Sequence, residues 1–180
     1  MRPLFQAQVS VTAERIDDAE AERFQPLLER CEDFFQLCYG RPARPDEGRQ
    51  LPLERPPGLP PEAGHLIAVR DASGQWVGVL EGIQGHRKPG EAYLGLMLLA
   101  PHVRGLGLGA ALLHGYEDWL RSEGMHVLRV GVSEPNTSAL RFWRRMGFEE
   151  EEWVGPLQYG ELSYRVLRMR RTLTSPAASP

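Results

Sequence analysis

Arg104-Gly105-Leu106-Gly107-Leu108-Gly109-Ala110 is the stretch on which the reading of this 180-residue chain turns. Ahead of it, Tyr93-Leu94-Gly95-Leu96-Met97-Leu98-Leu99 is an apolar run of strand length closed by Ala100-Pro101. Behind it, Leu112, Leu113, Tyr116, Trp119 and Leu120 recur at helical spacing, so the region predicts strand, glycine-rich turn, helix. A helix start carries amide hydrogens without intrahelical acceptors and about half a positive charge from its aligned peptide dipoles. Alternating glycines let an anionic group approach that bare backbone, and Arg104 adds a charge able to pair with phosphate oxygens. The expected guest is a pyrophosphate.

Two other accounts of these glycines exist. They can simply tighten a connection or admit close helix packing. Gly105-x-Gly107-x-x-Ala110, with Glu134 downstream, also fits the dinucleotide fingerprint loosely. That fingerprint wants its first glycine at the strand end, whereas residues 100 to 104 intervene here, and it wants a parallel sheet wound with several helices, which the chain does not supply.

Downstream, His126-Val127-Leu128-Arg129-Val130-Gly131-Val132 reads as a strand broken by Ser133-Glu134-Pro135-Asn136. Residues 138 to 146 then read as a short helix with Ala139, Phe142, Trp143 and Met146 on one face, Gly147 to end it, and Phe148 opening another strand.

Together these segments resemble the GNAT superfamily of CoA-dependent N-acetyltransferases, whose signature is R/Q-x-x-G-x-G/A followed by N-x-x-A-x-x-x-Y/W-x-x-x-G-F. The first half corresponds to residues 104 to 109 and the second to residues 136 to 148. The resemblance covers roughly His65 to Arg170. It implies a mixed, mostly antiparallel sheet of about six or seven strands flanked by helices, with two strands splayed where acetyl-CoA enters. It further implies that main-chain groups of Met97, Leu98 and Leu99 pair with pantetheine. By the same likeness Arg104, Gly105, Leu106, Gly107, Leu108, Gly109 and Ala110 hold the pyrophosphate, and Asn136 contacts the CoA arm.

Two positions depart from many members. Trp143 stands where tyrosine often returns a proton to the leaving thiolate, and an indole N–H is far too weak an acid for that, so Trp143 is read as packing along the cofactor or filling the core. Gly131 stands where some relatives carry a glutamate base.

The rest of the chain bounds the function. A 42% hydrophobic content over 180 residues suffices for one α/β (α+β) domain, expected over residues 1 to 173, with a flexible tail at 174 to 180. The formal charge of -3 gives no basic field for nucleic acid, and no apolar run reaches membrane-spanning length. A cytoplasmic location is expected, with monomer and homodimer both open. Cys31 and Cys38 are expected to be reduced packing residues, and the scattered histidines predict no metal site.

Residues 6 to 12 alternate and predict a first strand. Asp17 and Asp18 offer caps for a helix carrying Phe24, Leu27, Leu28 and Cys31, with Pro26 marking a start or kink. Phe34, Phe35 and Tyr39 follow; in the GNAT pattern this region borders the acceptor, so Phe35 and Tyr39 are candidate substrate residues. Prolines crowd residues 40 to 64, predicting a semi-rigid surface loop or flap with a helical turn near residues 46 to 51.

Residues 65 to 70 and 76 to 83 predict a hairpin in which Val77, Val79, Glu81 and Ile83 share a face. Buried there, the Glu81 carboxylate would have a raised pKa and could serve as a base; the alternative is a solvated edge carboxylate. Residues 86 to 91 predict a polar turn, Glu149 to Glu152 a solvated charge run, and residues 161 to 173 a last strand. The function expected is direct acetyl transfer from acetyl-CoA to an amine of a small molecule or peptide. Its rivals are a non-catalytic CoA sensor and a dinucleotide-dependent oxidoreductase.

Overall fold

The computed structural model describes residues 10 to 85 and 87 to 173. Its strands are β1 (Val11–Ile16), β2 (Gly64–Asp71), β3 (Trp76–Gln84), β4 (Glu91–Leu99), β5 (Val127–Ser133), β6 (Glu149–Tyr159) and β7 (Leu162–Thr172). Its helices are α1 (Gln25–Arg30), α2 (Glu32–Tyr39), the short α3 (Glu47–Gln50), α4 (Leu108–Ser122) and α5 (Thr137–Arg145). The strands form one sheet in the order β1-β2-β3-β4-β5-β7-β6. Only β4 with β5 is a parallel pair among the described residues, joined by the α4 crossover, so the doubly wound parallel sheet of a dinucleotide domain is absent.

The expected strand at residues 6 to 12 is displaced. Residues 6 to 9 lie outside the described residues, and β1 runs on to Ile16 because it pairs antiparallel with β2 from Val11 opposite Asp71 to Ile16 opposite Leu66. Asp17 caps the turn that follows, accepting a 2.8 Å bond from the Ala19 amide, and a tight 3₁₀ segment at Asp18–Phe24 precedes α1, with Pro26 in its first turn. His86 and the expected tail at 174 to 180 fall outside the described residues.

The proline-rich segment is folded about a buried carboxylate. Glu47 accepts bonds from Arg41 and from both the amide and guanidinium of Arg44, and these pairs hold its carboxyl below the usual range against the burial that would raise it. Arg55 pins the segment to the sheet, donating at 2.6 Å to Asp18 and at 3.1 Å to Glu81.

The acidic run at 149 to 152 is exposed, as expected, and it forms the start of β6. Glu150 meets Arg144, Glu151 meets Arg129, and Glu152 meets Arg168 across the β6/β7 pair, so the run is already neutralised by neighbours. Buried side chains from Ile16 to Leu173 form one cluster, with Phe24, Leu28, Leu113 and Leu128 fully enclosed.

Candidate active site

The site begins where β4 and β5 separate. They pair from Glu91 opposite Val127 to Leu94 opposite Val130 and no further, so residues 95 to 99 run on without β5 beside them. The cause is local. On its other edge β4 pairs Leu96 with Glu81 and Leu94 with Gly82, which leaves Gly95 as a bulge, and a bulge bends and twists the strand that carries it. A Cβ on Gly95 would lie 2.4 Å from Glu81 Oε2, so this position admits only glycine without rearrangement.

At the far end of β4 the glycine-rich turn is built as a donor cradle. Gly105 and Gly107 take φ values of +75° and +80°, a left-handed backbone that costs other residues about 1 kcal/mol or more. The first backbone bond into α4 is Ala111 N–H to the Gly107 carbonyl at 3.2 Å. Among the described residues, no protein acceptor meets the amides of Gly105 through Ala110. The Arg104 amide, expected in the same cradle, is spent on the Pro101 carbonyl at 3.3 Å. Donors without acceptors at a helix start suit an anion, so a pyrophosphate fits these residues.

The Arg104 guanidinium is also engaged. It grips the Asp33 carboxylate of α2, with Nη2 3.3 Å from Oδ1, and its Nε donates to the Leu99 carbonyl at 2.7 Å. That pairing holds the Asp33 carboxyl below its ordinary value. Arg104 therefore braces the end of β4 against α2, and the Leu99 carbonyl, which also receives the Cys31 thiol at 3.5 Å, is satisfied by protein. Of the three residues expected along pantetheine, only Met97 keeps main-chain groups free toward the gap: the Ala100 amide bonds the Val77 carbonyl, and two residues back the same alternation turns the Leu98 main chain to Val79 of β3.

A cavity of about 280 Å³ lies between these parts, lined by Asp33, Phe34, Leu37, residues 97 to 99, Arg104, Gly109, Asn136 and the α5 residues Ser138, Ala139, Phe142 and Trp143. Asn136 Oδ1 caps α5, accepting from the Ala139 amide at 3.1 Å and from Ser138 Oγ at 3.2 Å, so only the amide NH₂ remains to face a ligand. Trp143 is buried, edge-on to Phe142 at 5.0 Å and to Phe148 at 4.9 Å. Its ring lines both this cavity and the one beside it.

A second cavity of about 210 Å³ shares Phe34, Met97, Asn136, Ala139 and Trp143 with the first and continues into the gap between β4 and β5. Its further walls include Cys38, Tyr39, Tyr93, Gly131, Ser133, Tyr159 and Tyr164. The β6/β7 turn closes one side, the Glu161 amide bonding the Tyr39 carbonyl at 2.9 Å, with Tyr159 stacked on Tyr164 at 4.9 Å. Tyr164 donates to the Cys38 carbonyl at 2.6 Å, and Cys38 Sγ lies 3.4 Å from Ser133 Oγ.

Of the two expected acceptor residues, Tyr39 lines this cavity and Phe35 does not. Phe35 is turned into the core beneath α2, and its neighbour Phe34 takes the lining position. Ser133, Tyr159 and Tyr164 carried no motif and come together only through the β5/β7 and β6/β7 pairings.

Glu81 sits on the face with Val79 and Ile83, as the alternation predicted, opposite Leu96, Leu98 and Tyr93. It is neither solvated nor a member of the cavity wall: it bonds Arg55 at 3.1 Å and lies against Gly95, which does line the second cavity. Burial raises its pKa more than Arg55 lowers it.

Comparison with known proteins agrees with this geometry. The model of the acetyltransferase (GNAT) family matches residues 25–148. A mycothiol acetyltransferase of Arthrobacter sp. (strain FB24) is 35% identical over 103 residues, covering 54% of this chain and 30% of that protein. One from Stackebrandtia nassauensis is 34% identical over 124 residues, covering 64% and 39%. The chain thus spans well under half the length of these curated relatives. Among solved structures, an acetyltransferase from Thermus thermophilus superposes with a TM-score of 0.73 at 20% identity, over 92% of this chain and 98% of its own. Spermidine N-acetyltransferase from Vibrio cholerae, in complex with CoA and spermine, gives 0.70 at 19%, over 93% and 97%.

Proposed function

The chain belongs to the GNAT acetyltransferase family, and from that premise we propose that it transfers an acetyl group from acetyl-CoA directly to a primary amine of a small molecule or peptide. The observation that carries this is the run of unpaired amides from Gly105 to Ala110 opening on two joined cavities at the strand gap. The cradle suits the diphosphate, the Met97 main chain suits the pantetheine arm, and the Asn136 amide and Trp143 ring bound its inner end. The thioester supplies an acyl carbon already activated toward nucleophiles.

The amine must be neutral to attack. At pH 7 deprotonation costs about 4.6 kcal/mol for an alkylamine of pKa about 10.4, but only about 1.4 kcal/mol for an α-amine of pKa about 8. Among the described residues, the walls of the second cavity carry no Asp, Glu, Lys or Arg side chain. Such a wall neither attracts a polycation nor removes its proton, so it favours an α-amine or similarly weak base. Glu81, with its raised pKa beside Gly95, is the carboxylate we assign to take up the released proton through water. The buried free thiols Cys31 and Cys38 fit a reducing compartment, and a cytoplasmic location is part of this proposal.

The test is to follow free thiol while the protein meets acetyl-CoA and glycinamide, n-butylamine or spermidine. Fastest release with glycinamide is expected. Tight CoA binding with no release from any amine would instead favour a CoA sensor, the reading that Trp143 in place of an acidic tyrosine keeps alive.

A further inference from the structure

Gly131 lies one residue past the last β4/β5 pairing, at the apex of the gap. A Cβ placed on it would come 2.3 Å from the Tyr93 hydroxyl and 3.1 Å from Val166 Cγ1, so the hydroxyl occupies the space that any side chain at 131 would need. Tyr93 reaches there from β4 because the Gly95 bulge shifts its alternation onto the face of Leu96 and Leu98. Both Tyr93 and Gly131 line the second cavity. Nearby polar groups are already occupied: Tyr164 by the Cys38 carbonyl, and Ser133 by Cys38 Sγ. No protein group bonds the Tyr93 hydroxyl among the described residues.

We propose that the Tyr93 hydroxyl accepts an N–H of the attacking amine and aims its lone pair, and that residue 131 is glycine because a side chain there would displace that hydroxyl. The assignment rests on the acetyl-transfer reading above. In that step the amine nitrogen bonds the acyl carbon, the carbon–sulfur pair leaves on sulfur, and the nitrogen's proton departs to water and Glu81. Tyr93 gives up no proton overall. Burial pushes its pKa above the ordinary tyrosine value, more than Arg168 and Arg87 bring it down, which keeps the hydroxyl intact as an orienting group.

The experiment measures glycinamide acetylation and CoA binding in wild type, Tyr93→Phe, Gly131→Ala and the double variant. Tyr93→Phe removes one oxygen and keeps the ring, and should lower kcat/KM for glycinamide about tenfold with the CoA dissociation constant within about twofold. Gly131→Ala should cause a similar loss, and the double variant no more than either alone, because both remove one interaction. Unfolding midpoints identify any variant that fails to fold, in which case Tyr93→Phe decides alone. Unchanged kcat/KM in Tyr93→Phe, or losses that multiply in the double variant, would overturn the assignment. Failure of the acetyl-transfer reading has a different signature, since wild type itself would then bind CoA and acetylate none of the three amines, and the assignment would fall with it.

Discussion

Leu94 of β4 sits opposite Val130 of β5, and theirs is the last pair before the strands part. The residue that follows, Gly95, is the bulge, and its missing side chain leaves room for Glu81 Oε2. Gly95→Ala would force that carboxylate away from its place beside Arg55. We expect a loss of about 1 to 3 kcal/mol in urea unfolding, with weaker CoA binding as the gap is reshaped.

Glu81 carries a second prediction. A base must be ionised to accept a proton, and its pKa is raised by burial, so the rate should fall as pH drops through that raised value. Glu81→Gln should lower kcat by about 10²-fold or more and remove that acid limb, with the CoA dissociation constant unchanged. A variant that keeps wild-type kcat and the same pH profile would return Glu81 to a purely structural role with Arg55.

Trp143 lies against Phe142 and Phe148 and has no proton to give at neutral pH. Trp143→Phe should therefore preserve the shape of the pH–rate profile. Trp143→Ala should cost about 3 to 5 kcal/mol of stability through the cavity it leaves. A profile altered by the phenylalanine variant would show that the indole takes part in proton transfer.

His65 predicts how the fold responds to acid. Its Nε2 lies 2.7 Å from the Tyr116 hydroxyl, and burial, aided by Arg15 and Arg55, lowers its pKa to about 3. The unfolded chain binds the proton near pH 6.5, so between about pH 6.5 and 3 the unfolded state holds more protons. Stability from this group is complete above the unfolded value and falls by up to about 1.4 kcal/mol per pH unit on acidification. His65→Asn should be less stable at neutral pH yet show a shallower acid slope in thermal unfolding.

The parts of the site legible in the sequence are those fixed by local backbone chemistry. Residues 93 to 99 read as a strand, residues 104 to 110 as a glycine-rich turn into a helix, and residues 133 to 136 as a strand break, and each stands where its local pattern put it. What was illegible depends on partners remote in the chain. Arg104 reads as a free phosphate ligand until Asp33, 71 residues earlier, is seen to hold it. Phe34 and Phe35 are indistinguishable as neighbours on α2, and only packing decides which one enters the core. Tyr93 points into the gap because one bulged residue shifts the alternation of its strand, a shift that composition does not reveal.

The central claim is that the amides from Gly105 to Ala110 hold the diphosphate of CoA, and amide chemical shifts of ¹⁵N-labelled protein titrated with CoA test it most directly. The account predicts the largest shifts at Gly105, Gly107 and Gly109. Saturable CoA binding that leaves those amides unmoved would contradict it.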